Sequence, residues 1–356
     1  MSDYPGRVSD YPKNVSDYKP LILNALETLL KKDTAEKRVF QARAYKKVIE
    51  QLKTTEKPIH TLNDLTHIEG AGQKIKDKFK EILETGSLRA AEKAKAEFPI
   101  ELYDALQKVY GVGPVKAKDL IEKDRITSID DLRAKVAKNP KLLNENQKIG
   151  LMYYDDINER IPRTEMRAHA KLLMASLPST LQGTIVGSYR RNAESSGDID
   201  MLVRGSAGFK DYIATLKQNH YIVEVLAEGD KKCLAVAKLN ACSKGRRLDL
   251  LVTPEEEYAY AILYFTGSGP FNIAMRRHAL TRGYSLNEHT LSPTGAEIYL
   301  PPPMETEEDI FDFLGLVYVE PENRIGEASI ILKPPPSSMP KKLKTVRNSK
   351  TPTTKK

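Results

Sequence analysis

The stretch from Gly187 to Asp200, GSYRRNAESSGDID, constrains this chain more than any other. Thr184 to Val186 before it reads as an apolar strand, Gly187-Ser188 as a turn that opens a short polar helix, and a second strand then carries Asp198 and Asp200. Side chains alternate across a strand, so aspartates at i and i+2 share one face while Ile199 takes the other. Such a face is a platform for divalent metal. A helix start offers unpaired N–H groups that can hold a phosphate, and Arg190 and Arg191 follow to neutralise it. Phosphate cradle and metal-binding carboxylates together are the equipment of nucleotidyl transfer.

A lone D-x-D is commonly a solvated strand edge or a turn. The strand, the Gly-Ser turn, nine intervening residues and then D-x-D form a much narrower pattern. A third carboxylate is expected on a neighbouring strand, and the segment RRLDLLV at 246–252 supplies Asp249, alternating against Leu248 and Leu250. In a two-metal site the ions lie about 3.5–4 Å apart and clamp the attacking and leaving oxygens of an in-line displacement. Asp198 and Asp200 would bridge both ions, and Asp249 would hold the one that activates the attacking hydroxyl.

A length of 356 residues suits two or more domains with a buried core. The longest apolar run, Tyr258 to Phe265, is far too short for a membrane span, and the N-terminus lacks an apolar signal core, so the expectation is an intracellular protein. Cys233 and Cys242 have no His/Cys cluster around them and read as reduced thiols, neither a zinc site nor a disulfide framework. The net charge of +8 suggests a polyanionic partner. Residues 333–356 hold eight Lys/Arg and no acid, so this tail accounts for the whole excess and the rest of the chain sums to zero. A DNA-binding surface on the body must therefore come from segregation of charge.

In chain order, residues 1–18 repeat Ser-Asp-Tyr three times at a seven-residue period, but Pro5, Gly6 and Pro12 forbid a coiled coil, and a disordered repeat tail is expected. From Pro20 the pattern is helical, with apolar residues recurring at three and four. A further helix is expected to open at Thr61-Leu62-Asn63-Asp64-Leu65. Ile68-Glu69-Gly70-Ala71-Gly72 then breaks it before Lys74 to Leu83 resumes, which makes a helix-hairpin-helix. The same shape recurs at Val109-Tyr110-Gly111-Val112-Gly113-Pro114. Gly70, Gly72, Gly111 and Gly113 let backbone N–H groups approach a DNA phosphate with no Cβ in the way. One such hairpin could be a plain helix connection; two, each followed by lysines, favour non-specific contacts with the DNA backbone.

On the helix after the first hairpin, Ile75, Phe79 and Ile82 form the apolar stripe. At ~100° per residue, Lys78 lies about 60° from the centre of that stripe and Lys80 well round on the wet side. Lys78 should have a partly buried stem, with Lys74 one turn away. Burial and a neighbouring cation both favour the neutral amine that forms a Schiff base. A snorkelling lysine covering apolar surface fits the same wheel.

Residues 98–160 read as helical, and the Val/Ile/Leu-rich alternation from Thr184 to about Val252 as an antiparallel sheet. Near the sheet's end Tyr264-Phe265-Thr266-Gly267-Ser268-Gly269-Pro270 stops regular structure. The next helix is expected to start at about Asn272, with Arg276 one turn on. Tyr264 and Phe265 read, on physics alone, as core aromatics.

The Gly187–Asp200 signature resembles the catalytic segment of family X DNA polymerases. So do LNENQKIGLMYYDDINERIPRTEM, RRLDLLV and YFTGSGPFNIAMRRHAL, and the likeness runs from about Pro20 to about Arg324. It implies an α+β protein: a helical lyase domain at 19–97, a helical DNA-binding domain with the second hairpin at 98–160, and a nucleotidyltransferase palm with an antiparallel sheet at 161–265. A small α/β subdomain that selects the nucleotide is implied at 266–330, and a basic disordered tail at 331–356. Lys78 falls on the family's Schiff-base lysine for removing a 5′-deoxyribose phosphate, and Lys74 and Tyr45 match residues of that site. Gln41 and Ala90 stand where relatives have phosphate-binding lysines, and Phe40 replaces another ring that could stack on a template base. Arg160, Ser188, Arg191, Ser196 and Gly197, with Gly187 opening the turn, match triphosphate-binding positions. The resemblance sets Tyr264, Phe265 and Gly267 against the incoming sugar, Asn272 against the minor groove of the new pair, and Arg276 on the template side. Arg247 could orient Asp249, and Glu288 matches a residue behind the site, equally readable as a solvated turn. Ile273 and Leu251 depart from the family, which has a lysine and an arginine there.

Residues and resemblance together lead to the expectation of a template-directed polymerase that fills gaps in base excision repair. It would use two magnesium ions, with manganese able to substitute, and a monovalent cation at the hairpin turns. Its partners would be gapped or nicked duplex DNA, dNTPs and repair proteins such as a DNA ligase; it would act as a monomer in the nucleus or another DNA-containing compartment, without a membrane. A template-independent or RNA-directed nucleotidyltransferase shares the Gly-Ser and D-x-D elements, and a DNA-binding scaffold with a weak palm shares the hairpins. The Pro- and Lys-rich end reads as a localisation signal or a DNA tether.

Overall fold

The computed structural model describes residues 16–334 other than 56, 206 and 296–298. The first two Ser-Asp-Tyr copies and the tail beyond residue 334 lie outside the described residues. The third copy, expected within the repeat tail, is instead part of the fold. Asp17 Oδ1 accepts from the backbone N–H of Lys19 (2.9 Å) and of Ile59 (2.8 Å), and the half-buried Tyr18 ring packs on the first core.

Two compact units share the chain: one holds residues up to Ser179, Glu194–Met201 and Gly208–Leu251, and the other Thr180–Ala193, Leu202–Ala207 and everything from Val252 on. The first unit begins with α1 (Lys19–Ala35), α2 (Val39–Thr54), α3 (Gln73–Thr85) and α4 (Arg89–Glu97). Ile22, Leu26, Val48, Leu52, Phe79 and Ile82 from these helices form one closed core. Between α2 and α3 the expected helix at 62–65 is only a 3-10 turn, at whose start Asp64 Oδ2 accepts from the backbone N–H of Thr61 at 2.8 Å and of His60 at 3.0 Å.

A second core gathers α5 (Ile100–Gln107), α6 (Pro114–Glu122), α7 (Ile129–Lys138), α8 (Glu145–Met152) and α9 (Tyr154–Asn158) around Leu106, Val109, Leu120 and Leu132. Beyond it come β1 (Ile161–Pro162) and α10 (Arg163–Ala175), then β2 (Gln182–Ile185), α11 (Gly187–Arg190), β3 (Ser195–Ser196) and β4 (Ile199–Arg204). The chain continues through α12 (Phe209–Gln218), β5 (Ile222–Glu228), β6 (Lys232–Ala237) and β7 (Arg246–Thr253). Five strands make the main sheet in the order β2-β4-β7-β6-β5, and β5, β6 and β7 are antiparallel neighbours, as their alternation predicts. One face of β4 and β7 is closed by Ile199, Met201, Leu248 and Leu250, all fully buried. The second unit is completed by α13 (Tyr258–Thr266), α14 (Gly269–Thr281), β8 (Tyr284–Leu286), β9 (Leu291–Pro293) and α15 (Glu307–Phe313), around Phe271, Met275, Ile310 and Phe311. No helix among the described residues is long and apolar enough to cross a membrane.

Three boundaries differ from expectation. β2 ends at Ile185, with Val186 capping the one-turn helix that follows. β4 starts at Ile199, so Asp198 stands on the bend just before the strand. The helix expected from Asn272 starts at Gly269, because Ser268 Oγ caps it through the Phe271 N–H and Pro270 is suited to a first turn that needs no N–H.

In the first unit His169 is fully buried, its Nδ1 2.8 Å from the Tyr221 hydroxyl and its Nε2 without a hydrogen-bond partner. Glu165, 3.7 Å away, is already held by both sides of the Arg246 fork at 2.6 and 2.8 Å. Burial pushes the His169 pKa down to about 4 against the pull of Glu165. The folded state thus disfavours a proton that the unfolded chain accepts near pH 6.5. Stability from this group is full above pH 6.5 and is lost as pH falls to 4, by about 3 kcal/mol. Urea unfolding from pH 7 to 4 should show that decline, and His169→Gln should flatten it.

Candidate metal centre and nucleotide-binding elements

In the first unit, Asp198 from the bend before β4, Asp200 from β4 and Asp249 from β7 each turn one carboxylate oxygen to a common point, all within 4.8 Å of one another. Arg247 lies on the same face of β7 as Asp249, two residues apart. Its guanidinium pairs with Asp198, and its Nε is 3.4 Å from Asp249 Oδ1. That second contact is an ion pair off the line of a hydrogen bond, since neither the Nε nor the Oδ1 finds a bonding partner. Burial raises the Asp249 pKa, with Arg247 and Lys232 opposing it. Three half-buried carboxylates, one arginine and a buried oxygen left without a donor suit a hard cation that takes oxygen ligands. Asp198, Asp200 and Asp249 fit a divalent metal.

On the same unit β1 pairs with β3, Ile161 opposite Ser196 and Pro162 opposite Ser195. This pairing brings Arg160 to the serines: its Nε donates to Ser195 Oγ at 2.9 Å and its Nη2 to the Ser195 carbonyl. A Cβ on Gly197 would lie 3.8 Å from Arg160 Nη1. Arg160 is thus held at Ser195 and lies beside Gly197, while Ser196 sits opposite Ile161.

The second unit carries the Gly-Ser turn, where Gly187 has a φ of +60°. Here the two arginines part company. Arg190, expected to neutralise a phosphate, is turned inward, its Nη1 donating to Thr266 Oγ1 (2.6 Å) and Glu307 Oε1 (3.0 Å) and its Nη2 to Glu307 Oε2 (2.7 Å). Glu307 and Arg324 are both buried, and Arg324 Nη1 donates to Glu307 Oε1 at 2.5 Å while its guanidinium packs on the rings of Phe271, Phe311 and Tyr318. Burial alone would raise the Glu307 pKa; the two arginines outweigh it and hold the carboxyl below its ordinary value. Arg191 donates from Nη1 to the Thr266 carbonyl at 2.6 Å, which secures α11 to the end of α13.

Thr266 precedes Gly267, whose φ is +69° and whose peptide bond to Ser268 is cis. A Cβ on Gly267 would lie 3.2 Å from Arg191 Nη1, so a side chain there would press on that arginine. Tyr264 and Phe265 meet edge to face at 5.1 Å and are half-buried, neither core nor free. Asn272 Nδ2 donates to the Tyr264 carbonyl at 2.7 Å. Arg276 lies over the Tyr264 ring at 4.9 Å and pairs with Glu288 at 3.2 Å, which makes Glu288 a partner of Arg276 and not a solvated turn. Ile273 is 57% exposed beside them.

Both hairpins hold the glycines as expected: Gly70 and Gly111 each have a φ of +79°, and beside Gly72 and Gly113 a Cβ would meet nothing. Sequence reasoning missed what braces them. Gln51 donates to the Glu69 carbonyl (2.7 Å) and accepts from the Glu69 N–H (2.9 Å), and Gln147 donates to the Gly111 carbonyl (2.8 Å). Lys78 is half-buried and donates to the Lys74 carbonyl at 3.2 Å, while Lys80 and Lys74 are exposed. Tyr45 packs against the same core; Phe40 is 83% exposed, and Gln41 and Ala90 are exposed as well. Glu307, Arg324 and Thr266 were also missed. A glutamate in a first helical turn ordinarily faces water and complements the helix dipole, so nothing in Thr306-Glu307-Glu308-Asp309 announces burial.

Comparison with known families places four models along the chain. Residues 17–88 match a helix-hairpin-helix domain, 104–158 the fingers domain of DNA polymerase lambda, 160–255 the DNA polymerase beta palm, and 261–325 the DNA polymerase beta thumb. DNA polymerase lambda of Rattus norvegicus is 33% identical over 328 residues, 85% of this chain and 56% of that protein. DNA polymerase lambda of Arabidopsis thaliana is 30% identical over 308 residues, covering 79% and 57%. The chain spans about half the length of the curated relatives it matches.

Removing Glu307 would leave Arg190 and Arg324 buried without a counter-charge. Glu307→Ala should lower the free energy of unfolding by about 3–5 kcal/mol, as breaking one side of a buried pair does. Urea unfolding of the variant beside Glu308→Ala, the adjacent acid, checks the figure.

Proposed function

This chain belongs to the family X DNA polymerases and resembles polymerase beta, and on that premise we propose that it fills short gaps in duplex DNA during base excision repair. The reaction adds a templated dNMP to a primer 3′-hydroxyl. One observation carries the reading: within the segment matched by the palm model, three carboxylates reach a common point with a buried Asp249 oxygen still lacking a donor. Two magnesium ions, or manganese, suit an all-oxygen site and when bound would supply Lewis acidity at the phosphate and an activated 3′-hydroxyl. Asp198, Asp200 and Asp249 would hold them. Arg247, paired with Asp198 and lying against Asp249, orients both carboxylates.

Arg160, Ser188, Arg191, Ser196 and Gly197 are the residues assigned to the triphosphate. Tyr264, Phe265 and Gly267 take the sugar, Asn272 the minor groove and Arg276 the template side. The hairpin glycines Gly70, Gly72, Gly111 and Gly113 meet DNA phosphates through backbone N–H groups, with a monovalent cation on nearby carbonyls. This assignment divides the chain into a lyase domain at 19–97, a DNA-binding domain at 98–160, a palm at 161–265 and a nucleotide-selecting subdomain at 266–330. Its setting is the nucleus, as a monomer working with repair proteins such as a DNA ligase. Lys78 would supply a second activity: its amine condenses with the aldehyde of a 5′-deoxyribose phosphate, releasing water and forming the Schiff base from which the phosphate is eliminated.

Offered a duplex with a one-nucleotide gap, a 5′-phosphate, magnesium and each dNTP in turn, the protein should add only the template-matched nucleotide. Asp249→Ala should reduce that rate by at least about a thousandfold, the scale of losing a group that stabilises transition-state charge. Addition that ignores the template would favour a template-independent transferase, and binding without addition a scaffold. Separately, borohydride should trap a covalent adduct on 5′-deoxyribose phosphate DNA that disappears in Lys78→Ala while gap filling persists.

A further inference from the structure

The second unit has a groove of about 850 Å³ between the Glu255–Glu257 turn that leads into α13, the β9 strand and the Leu300–Glu305 segment. Two of its acids have local partners: Glu255 pairs with Arg204, and Glu257 lies 2.6 Å from His289 Nδ1. Glu256 and Glu305 are exposed and make no side-chain hydrogen bond or ion pair with any described residue. Pro301, Pro302 and Pro303 line the same groove, and Leu300 is 82% exposed on its rim. An apolar rim with uncompensated negative charge suits an extended, basic segment.

The chain carries such a segment close by. Residues 335–356 hold seven Lys/Arg and no acid. They leave from a fixed point: the Lys333 N–H donates to the Gly315 carbonyl at 2.9 Å, and its Nζ pairs with Asp312 at 2.6 Å, near the C-terminal end of α15. Glu305 lies just before the other end of that helix, whose seven residues span about 10 Å. Lys341 is seven residues beyond Pro334, so its backbone can reach up to ~25 Å at ~3.3–3.6 Å per residue. That reach exceeds the length of α15, so the tail's first three lysines are within range of Glu305.

We propose that residues 335–356 dock on this groove, with Lys341, Lys342 and Lys344 set against Glu256 and Glu305. The docked tail holds its charge on the protein's own surface until a denser polyanion draws it off, so nucleic acid and groove compete for the same lysines.

Hydrogen exchange on the full chain tests this at the amides of residues 289–292, 299–300 and 304–306. The wild type should exchange there roughly three- to tenfold more slowly than a Lys341→Glu, Lys342→Glu, Lys344→Glu variant, as a weakly docked segment protects its seat. Glu256→Gln with Glu305→Gln, both surface changes, should remove the same protection, and so should 1 M salt, where screening extends only about 3 Å. Equal exchange in the wild type and both variants would overturn the proposal. Protection that grows with protein concentration would assign the groove to a second copy and overturn it too.

Discussion

Mutual repulsion among three carboxylates is the constraint around which the first unit is built. Asp198, Asp200 and Asp249 lie within one ion's reach, and a free chain would drive them apart. What holds them is the opposite face of the same strands, where Ile199, Met201, Leu248 and Leu250 are sealed from water. Burial of those apolar backs stabilises the strands far more than one arginine could offset the charges in front of them. Arg247 removes part of the repulsion and leaves the rest for a cation. The catalytic reading thus rests on packing on one face and unbalanced charge on the other.

The second unit solves a different electrostatic problem. There the charge is balanced: Glu307 sits between Arg190 and Arg324, and Arg324 in turn lies among three aromatic rings. Such a cluster ties α11, α13 and α15 together through directional bonds, where an apolar core would allow sliding. Arg191, the next residue along, holds the carbonyl of Thr266, and the Gly267 turn comes directly after it. The Gly267 turn is consequently fixed by a network of buried charges.

Local patterns made much of this legible from the residues. Strand alternation placed Asp200 and Asp249 correctly, the paired Gly-x-Gly motifs placed both hairpins, and a helical wheel separated half-buried Lys78 from exposed Lys80. Misreadings came where a long-range partner decides. Arg190 and Arg191 look alike in sequence, yet the first turns inward because Glu307, over a hundred residues later, is buried beside it. The start of α14 was placed late because Gly269 and Pro270 were read as breakers, when a serine cap makes them a first turn. Tyr18 looks like part of a repeat, yet its ring packs on the first core and its neighbour Asp17 accepts from the Ile59 N–H, a long-range bond that no local pattern reveals.

The two hairpins are braced by the amides of Gln51 and Gln147, groups that neither gain nor lose a proton in water. Titration therefore leaves these two braces intact. His169 and the Glu307 cluster, by contrast, are tuned to proton activity. One molecule so holds its hairpin turns with neutral amides while a buried histidine and a buried glutamate make the packing elsewhere answer to acid, the histidine from below pH 6.5 and the glutamate only at lower pH.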